Sequence, residues 1–207
     1  MSATFLKKSP NIGYLELIIG PMFSGKTTSL INLDKIYRTK LGMTCFLINH
    51  SDDQRYGKVG DGLMMTHDRK SIKAHHTSKL MDLLKYSSIL NYDAILINEG
   101  QFFPDLIEFV LCMVEVHKKK VHIAGLNGDF RKKEFGEILK LIPHCDDVRK
   151  LSADCGICKD KGVGLFSMRK SFESCQKVVG ASNYVPVCRV CYEIFAQSKF
   201  PDSTVTK

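Results

Sequence analysis

Gly20-Pro21-Met22-Phe23-Ser24-Gly25-Lys26-Thr27 is the stretch that decides the fold of this 207-residue chain. It matches the phosphate-binding P-loop pattern G-x-x-x-x-G-K-[ST] at every fixed position. An apolar run over residues 14–19 precedes it, and helical spacing follows it. Glycines let such a loop wrap closely around a phosphate, Lys26 can reach the outer phosphates, and the Thr27 hydroxyl can approach Mg²⁺. The stretch therefore predicts a nucleoside triphosphate site; a glycine-rich turn with an unrelated lysine is the alternative.

Alternating strand-like and helix-like patterns surround this loop over the first two-thirds of the chain. Apolar runs typical of buried strands lie at 14–19, 44–49, 94–97 and 121–124, with a further strand predicted at 148–151. Helical spacing marks the segment after the P-loop, the segment 80–90 and the segment that begins at Pro104 and Asp105. Because helices separate the strands, we predict an α/β fold: a P-loop, RecA-like, mostly parallel sheet with flanking helices.

Polar segments follow several predicted strands, at the edge of the sheet where ligands collect. Glu99 comes directly after run 94–97, so its carboxylate is a candidate acceptor for the proton of an attacking hydroxyl; the alternative is a surface charge or an ion-pair member. Asn98 stands where P-loop enzymes normally place an acid that helps to hold Mg²⁺. An amide does not neutralise a cation, so we expect Asn98 to act through water. Residues 50–77 are polar, which predicts a long loop that orders on substrate binding.

Two cysteine pairs, Cys155-x-x-Cys158 and Cys188-x-x-Cys191, stand 29 residues apart. Two such pairs can supply four thiolates to one tetrahedral zinc ion, which leaves no open position and makes the metal structural. Four buried or redox cysteines are the alternative. The intervening loop, 159–187, holds few apolar residues apart from strand-like runs at 165–170 and 175–179. Because zinc would tie its ends together, we predict that this loop is a lid.

These patterns predict a nucleotide-binding domain over 1–151, a zinc-binding lasso, or lid, domain over 152–195 and a flexible tail over 196–207. No export signal opens the chain and no apolar run reaches about 18 residues, so we expect a cytoplasmic protein without a membrane span. The net charge of +8 suits anionic ligands. A nucleic-acid-binding ATPase with a zinc ribbon is a rival interpretation, which the scattered arrangement of the basic residues disfavours. A GTPase-like switch is disfavoured because no guanine-reading N-K-x-D pattern stands out.

In their order along the chain, these motifs resemble those of the type II, cytosolic-type thymidine kinases. The resemblance rests on the P-loop octapeptide, Thr66-His-Asp68, Glu99-Gly-Gln-Phe-Phe-Pro-Asp105 and the four cysteines. It implies an ATP:thymidine 5′-phosphotransferase that uses Mg²⁺ with ATP and contains structural Zn²⁺. It further implies ATP and thymidine as partners, dTTP as a feedback inhibitor and a homotetramer or dimer, with neither nucleic acid nor a membrane as partner. Kinases for deoxyuridine or deoxycytidine remain an alternative.

The resemblance also implies a role for individual residues. Glu99 becomes the acceptor of the 5′-hydroxyl proton and Lys26 the second catalytic residue. The implied phosphate-binding residues are the octapeptide Gly20 to Thr27 together with Arg55, Asn98 and Gln101. The implied nucleoside-binding residues are Phe102, Leu126, Phe130 and Tyr184, and Met22 forms an apolar wall. The implied lid residues beside the base edge are Cys175, Gln176, Lys177, Val178 and Val179. The chain departs from the family pattern at Asn98, where Asp is usual, and at Val178-Val179-Gly180, where two glycines are more frequent.

Overall fold

A six-stranded parallel sheet forms the centre of the computed structural model, which describes residues 12–52, 62–65, 71–177 and 183–199. In chain order the described strands are β1 (Tyr14–Gly20), β2 (Cys45–His50), β3 (Leu63–Met65), β4 (Ser71–Lys73), β5 (His75–Thr77), β6 (Ala94–Ile97), β7 (Lys120–Leu126), β8 (Asp147–Lys150), β9 (Ala153–Cys155), β10 (Lys159–Gly164), β11 (Phe166–Arg169) and β12 (Tyr184–Val187). The central sheet has the order β5-β2-β6-β7-β1-β8. The predicted α/β class with a mostly parallel sheet is thus confirmed.

Helices cover both faces of this sheet. They are α1 (Lys26–Lys40) and α2 (Leu106–Leu111), which continues as a π-helical turn over Cys112–Val116. A third helix, α3 (Arg189–Lys199), packs away from this sheet, beside β11. Short 3₁₀ helices lie at Met81–Lys85, Ser87–Asn91, Gly100–Phe102 and Ile138–His144. The helix predicted after the P-loop is confirmed, and it ends before Gly42, whose φ of 60° is the left-handed conformation that favours glycine at a helix end. None of the described helices is long and apolar enough to cross a bilayer.

Alternate residues of the central strands fill two separate cores. On one face, Leu15, Leu17 and Ile19 of β1 pack with α2 and the 3₁₀ helices. On the other face, Ile18 of β1 packs with α1 and with the hairpin region that includes Met64. Because a strand between two helix layers is buried on both sides, these runs are continuously apolar rather than alternating.

The register of the sheet brings four loops to one edge. Gly20 at the end of β1 pairs with Leu126 at the end of β7. Ile97 at the end of β6 pairs with Ile123 of β7 and with Ile48 of β2. Since all these strands are parallel, the P-loop, Asn98-Glu99, the residues after Asn49 and the segment after Leu126 leave the sheet at its carboxyl edge.

The segments outside the apolar runs differ from several predictions. Within the predicted loop 50–77, β3 and β4 form an antiparallel hairpin, and β5 extends the central sheet beside β2. Of the predicted strand 175–179, residues 175–177 have no regular structure, whereas an unpredicted strand, β12, pairs with β11. The last helix, α3, continues to Lys199, within the predicted tail 196–207. The domain boundaries otherwise stay predictions. Strands of three or four mixed residues are too short to show a periodic signal.

The part of the chain that carries the two cysteine pairs also has a small apolar core, which no pattern in the sequence predicted. Its buried residues are Cys155, Met168, Val187, Cys191 and Tyr192. Four of these residues adjoin or belong to the cysteine pairs, so the core forms where the metal ligands meet. Predicted site residues Arg55, Val178 and Val179 and the 66–68 motif lie outside the described residues, and their roles stay predictions.

A buried polar network crosses the face of the sheet beneath α1. The Glu16 carboxylate lies 2.6 Å from Nδ1 of His122, and the other ring nitrogen lies 2.7 Å from the Tyr37 hydroxyl. Arg149 of β8 donates to the second carboxylate oxygen of Glu16. Burial by itself raises the pKa of Glu16, but the hydrogen bonds and charges of His122 and Arg149 outweigh it and hold that pKa below its usual value. The network therefore stabilises the fold only while Glu16 is ionised.

Glu16→Gln tests this network. We expect it to lower the free energy of unfolding at pH 7 by about 3 kcal/mol, because it leaves Arg149 beside a neutral group. The pKa of Glu16 is lower in the folded protein than in the unfolded chain, where it is near 4.5. The stabilisation that Glu16 contributes is therefore complete above about pH 4.5 and is lost as the pH falls through the pKa of the folded protein. The difference between wild type and variant in urea unfolding should therefore shrink below about pH 5.

Glu137→Gln is the matched control, since Glu137 forms an exposed ion pair with Lys140 at 3.1 Å. It should change the unfolding free energy by less than about 0.5 kcal/mol. Equal effects of the two substitutions at pH 7 would contradict a stabilising role for the buried network.

Candidate active site

The P-loop connects β1 to α1 in the arrangement that a phosphate site requires. Gly25 has φ 82°, which a residue with a Cβ rarely adopts. The N–H of Ser29 donates to the Gly25 carbonyl at 2.9 Å, so the three preceding N–H groups lie ahead of the helical ladder and at the positive end of α1. The buried Lys26 ammonium donates to the Pro21 carbonyl at 2.6 Å, which holds it within the loop. The octapeptide can thus bind an anion with backbone donors and one buried cation.

Thr27 joins the P-loop to the end of β6. Its hydroxyl donates to Oδ1 of Asn98 at 3.1 Å, and the amide of Asn98 donates to Oδ1 of Asn49 at 2.9 Å. Both asparagines are almost completely buried. Asn49 therefore fixes the Asn98 amide so that its carbonyl oxygen faces Thr27. These two oxygens are hard, neutral donors of the kind that suits Mg²⁺ or its bound water.

Glu99 follows Asn98 in a strained, buried conformation. Its φ of 56° lies in the left-handed region, which is unusual for a non-glycine residue and often marks a functional position. The Gln101 amide donates to Oε2 of Glu99 at 2.6 Å, while the Gln101 carbonyl oxygen accepts from the N–H of Leu126 at 3.0 Å. Gln101 thus orients the carboxylate and ties it to the end of β7. Through these contacts Gln101 positions the Glu99 carboxylate. The contact of Gln101 with phosphate stays a prediction.

Residues 170–177, which we call the strap, follow β11 and lie against the carboxyl edge of the sheet. Lys177 of the strap forms an ion pair with Asp52 and places its ammonium 4.7 Å from the centre of the Phe102 ring. The hydrogen bond from Lys177 lowers the pKa of Asp52. The Phe102 ring also contacts His50 and Phe135, at ring-centre distances of 5.5 and 5.4 Å. One side of the strap is thereby held over the predicted nucleoside aromatic.

The other side of the strap is held by the segment after β7. The Gln176 amide donates to Oδ2 of Asp129 and to the Glu134 carbonyl, both at 3.0 Å. Arg131 donates to the Ser174 carbonyl. Cys175, Gln176 and Lys177 therefore lie beside the carboxyl edge of the sheet, and the Gln176 side chain is engaged with Asp129. Their predicted place beside the base edge stays a prediction.

Phe130 and Tyr184 meet at a buried arginine. The guanidinium of Arg169 lies 3.8 Å from the centre of the Phe130 ring and 5.2 Å from that of Tyr184. Phe130 is buried, with 3% of its surface exposed, and the Tyr192 hydroxyl donates to its carbonyl at 2.8 Å. The structure thus brings the predicted nucleoside residues Phe102, Leu126, Phe130 and Tyr184 to one edge.

The strand before the strap contacts the P-loop directly. The N–H of Met22 donates to the hydroxyl of Ser167 in β11 at 2.8 Å. Sequence reasoning missed Ser167, Arg169 and Asp129. Ser167 and Arg169 are two residues apart and lie on the same face of β11. Because the strand has only four residues, no pattern in the sequence shows that this face is buried.

The four predicted zinc ligands form one cluster. Their sulfur atoms all lie within 4.8 Å of one another, and Sγ of Cys158 lies 3.6 Å from those of Cys188 and Cys191. Tetrahedral zinc with bonds of about 2.3 Å requires sulfurs about 3.8 Å apart, so the geometry fits. The neighbouring thiols raise the pKa of Cys158 to about 12, which means that a cation is needed before all four can ionise. The cluster suits a structural zinc ion, since no fifth ligand position opens to substrate.

A P-loop at the end of β1, on a parallel sheet between helix layers, defines a P-loop nucleotide-binding protein of the α/β class. The family model described as Thymidine kinase matches residues 13–192. Thymidine kinase from Yaba monkey tumor virus is 44% identical over 181 residues, which cover 87% of this chain and 94% of that protein. The vaccinia virus (strain Ankara) thymidine kinase is 42% identical over 183 residues, covering 88% and 98%. The chain belongs to the thymidine kinase family, as the resemblance indicated.

Cys188→Ser tests the metal cluster. We expect wild type to contain one zinc ion per chain and the variant to lose it, since three thiolates no longer complete the tetrahedron. The melting temperature should fall by about 10 °C, because Cys188 directly follows β12 and the local core forms around the cysteines. Elemental analysis and thermal unfolding measure both. Cys145→Ser is the control, since Cys145 lies outside the cluster and donates to the Ile142 carbonyl in its own turn. Stoichiometric zinc in Cys188→Ser would contradict the assignment.

Proposed function

We propose that this chain transfers the γ-phosphate of ATP to the 5′-hydroxyl of thymidine, giving dTMP and ADP. The observation that carries the proposal is the hydrogen bond from Thr27 of the P-loop to Asn98, the residue directly before Glu99, in a chain that belongs to the thymidine kinase family. A phosphate cradle and a carboxylate base are the two parts that phosphoryl transfer to a hydroxyl requires.

In this proposal Glu99 accepts the proton of the 5′-hydroxyl as that oxygen attacks the γ-phosphorus. Gln101 keeps the carboxylate in place by donating to one of its oxygens, Oε2. Lys26 and the N–H groups at the start of α1 stabilise the charge on the transferred phosphoryl group. Arg55, predicted to face the phosphates, remains part of the proposal without structural support.

The nucleoside occupies the space between Phe102, Leu126 and the strap. Phe102 offers a face on which the pyrimidine stacks, and Met22 and Leu126 offer apolar contact. Base identity is read by backbone groups of the strap and the predicted Val178 and Val179, because hydrogen bonds to a base edge discriminate strongly between bases. We infer that the substrate is thymidine rather than deoxycytidine because the chain belongs to the thymidine kinase family.

Two metal ions complete the proposal. Zinc supplies structural stability at the four cysteines. Mg²⁺, bound with ATP, would be held by Thr27 and the phosphates, with Asn98 acting through water, and it supplies neutralisation of phosphate charge. The homotetramer or dimer and inhibition by dTTP stay predictions from the resemblance. The cytoplasmic location stays a prediction from the absence of an export signal.

Glu99→Gln is the direct test of the base. We expect kcat to fall by about 10²- to 10⁴-fold, while the KM for thymidine changes less than about threefold, since the amide is isosteric and can still bond to Gln101. Steady-state production of ADP and dTMP measures both. Glu115→Gln, at an exposed glutamate after α2, should leave both constants unchanged. A fall in kcat of less than about tenfold in Glu99→Gln would exclude Glu99 as the general base.

Asn98→Asp tests how Mg²⁺ is held. We expect the half-saturating Mg²⁺ concentration to fall about fivefold, because a carboxylate facing Thr27 adds about 1 kcal/mol of attraction to the cation through water. Asn49 can rotate its amide to donate to the new carboxylate, so the fold is kept. Asn91→Asp adds the same charge at an exposed position and should change nothing. An unchanged Mg²⁺ requirement in Asn98→Asp would mean that this side chain does not contact the metal's hydration shell.

A further inference from the structure

We propose that Arg169 is a positioning residue, which fixes the strap in the conformation that reads the base of the nucleoside. The inference deepens the proposed function and rests on it, because it concerns how the same site selects its substrate. Arg169 is the last residue of β11, and none of its surface is exposed. Arginine is almost never fully buried unless its charge is compensated, so the surroundings of this side chain reveal what it does.

The guanidinium of Arg169 uses each of its nitrogen atoms to hold residues that flank the nucleoside site. Nη1 donates to the carbonyls of Glu173, at 3.0 Å, and of Cys175. Nη2 donates to the Gln176 carbonyl at 2.8 Å and to the Tyr184 hydroxyl at 2.6 Å, and Nε donates to the same hydroxyl at 3.2 Å. The strap therefore curves around the rigid guanidinium of Arg169. This curvature explains why residues 175–177 do not form the predicted strand.

A flat face of the Arg169 guanidinium is covered by the Phe130 ring. Its carbon lies 3.8 Å from the centre of the Phe130 ring. Backbone carbonyls and aromatic faces are neutral, but both present negative potential to a cation. Burial of the charge is therefore offset by the strap and by Phe130 together. The strap and the arginine depend on each other, because loss of either one leaves polar groups of the other without partners.

β11 also sets the position of the strap relative to the P-loop. Side chains two residues apart in a strand point to the same side, and Ser167, two residues before Arg169, accepts the hydrogen bond from the N–H of Met22. One face of this short strand therefore contacts the phosphate cradle at one end and the strap at the other. Arg169 transmits that alignment to the backbone of the strap.

Arg169→Met keeps much of the side-chain volume and removes all the donors. We expect the KM for thymidine to rise about 10- to 100-fold, since several hydrogen bonds to a charged group are lost, while the KM for ATP changes less than about threefold. The preference for thymidine over deoxycytidine in kcat/KM should fall by a similar factor. Arg169→Lys should give an intermediate result, because an ammonium cannot reproduce the planar fork.

Hydrogen–deuterium exchange without nucleoside separates this inference from the proposed function. In Arg169→Met, backbone amides of residues 171–177 should exchange about tenfold faster, whereas those of β1 and β7 should not change. Arg38→Met is the matched control, because Arg38 of α1 also donates to a backbone carbonyl, that of Cys45 at 2.8 Å, but outside the strap. It should leave exchange in the strap and nucleoside preference at wild-type values.

Three results would overturn the proposal. Wild-type exchange in residues 171–177 of Arg169→Met would show that the arginine does not hold the strap. Faster exchange with an unchanged preference between thymidine and deoxycytidine would show that the held conformation does not read the base. If Arg169→Met loses zinc and does not fold, Tyr184→Phe, which removes the hydroxyl acceptor of Arg169, must show faster exchange in the strap, and wild-type exchange there would reject the inference. Absence of thymidine phosphorylation in wild type would instead contradict the proposed function.

Discussion

The in-register parallel pairing of β1, β7, β6 and β2 is the constraint on which the rest of the site depends. Gly20 lies opposite Leu126, and Ile97 lies opposite both Ile123 and Ile48. Because adjacent strands are about 4.8 Å apart, this register places the P-loop, the carboxylate after β6 and the loop after β7 within reach of one nucleotide and one nucleoside. A shift of one residue in any of these strands would turn its buried side chains to the other face and remove that alignment.

The strap lies over the site although it contains few apolar residues. It contributes almost no core of its own, so its position comes from polar contacts with parts that are already rigid. Asp129 and Glu134 hold it on one side, Asp52 on the other, and Arg169 from within. The four cysteines and the small core around Met168 and Val187 anchor the ribbon of β11 and β12 from which the strap extends. Polar closure of this kind is weaker than hydrophobic packing, and it can therefore open for substrate exchange.

Sequence reasoning succeeded where one physical requirement fixes the residue types. The P-loop needs glycines and a lysine, a two-sided parallel strand needs a continuous apolar run such as 94–97, and a zinc site needs paired cysteines, so each could be predicted. It failed where the partner is distant in sequence. The burial of Arg169, the orienting bonds from Gln101 to Glu99 and Leu126, and the pairing of β5 with β2 depend on tertiary neighbours that no local pattern identifies. Residues in those places can be found only once the register of the sheet is known.

The account is tested most directly by following the terminal phosphate of ATP. Wild-type protein with Mg²⁺ and γ-labelled ATP should transfer label to thymidine, producing labelled dTMP in an amount equal to the ADP formed. With 5′-deoxythymidine, which lacks the hydroxyl that Glu99 is proposed to deprotonate, no labelled nucleotide should form. Release of the label as inorganic phosphate at the same rate with thymidine, with 5′-deoxythymidine or with single-stranded DNA would contradict the account.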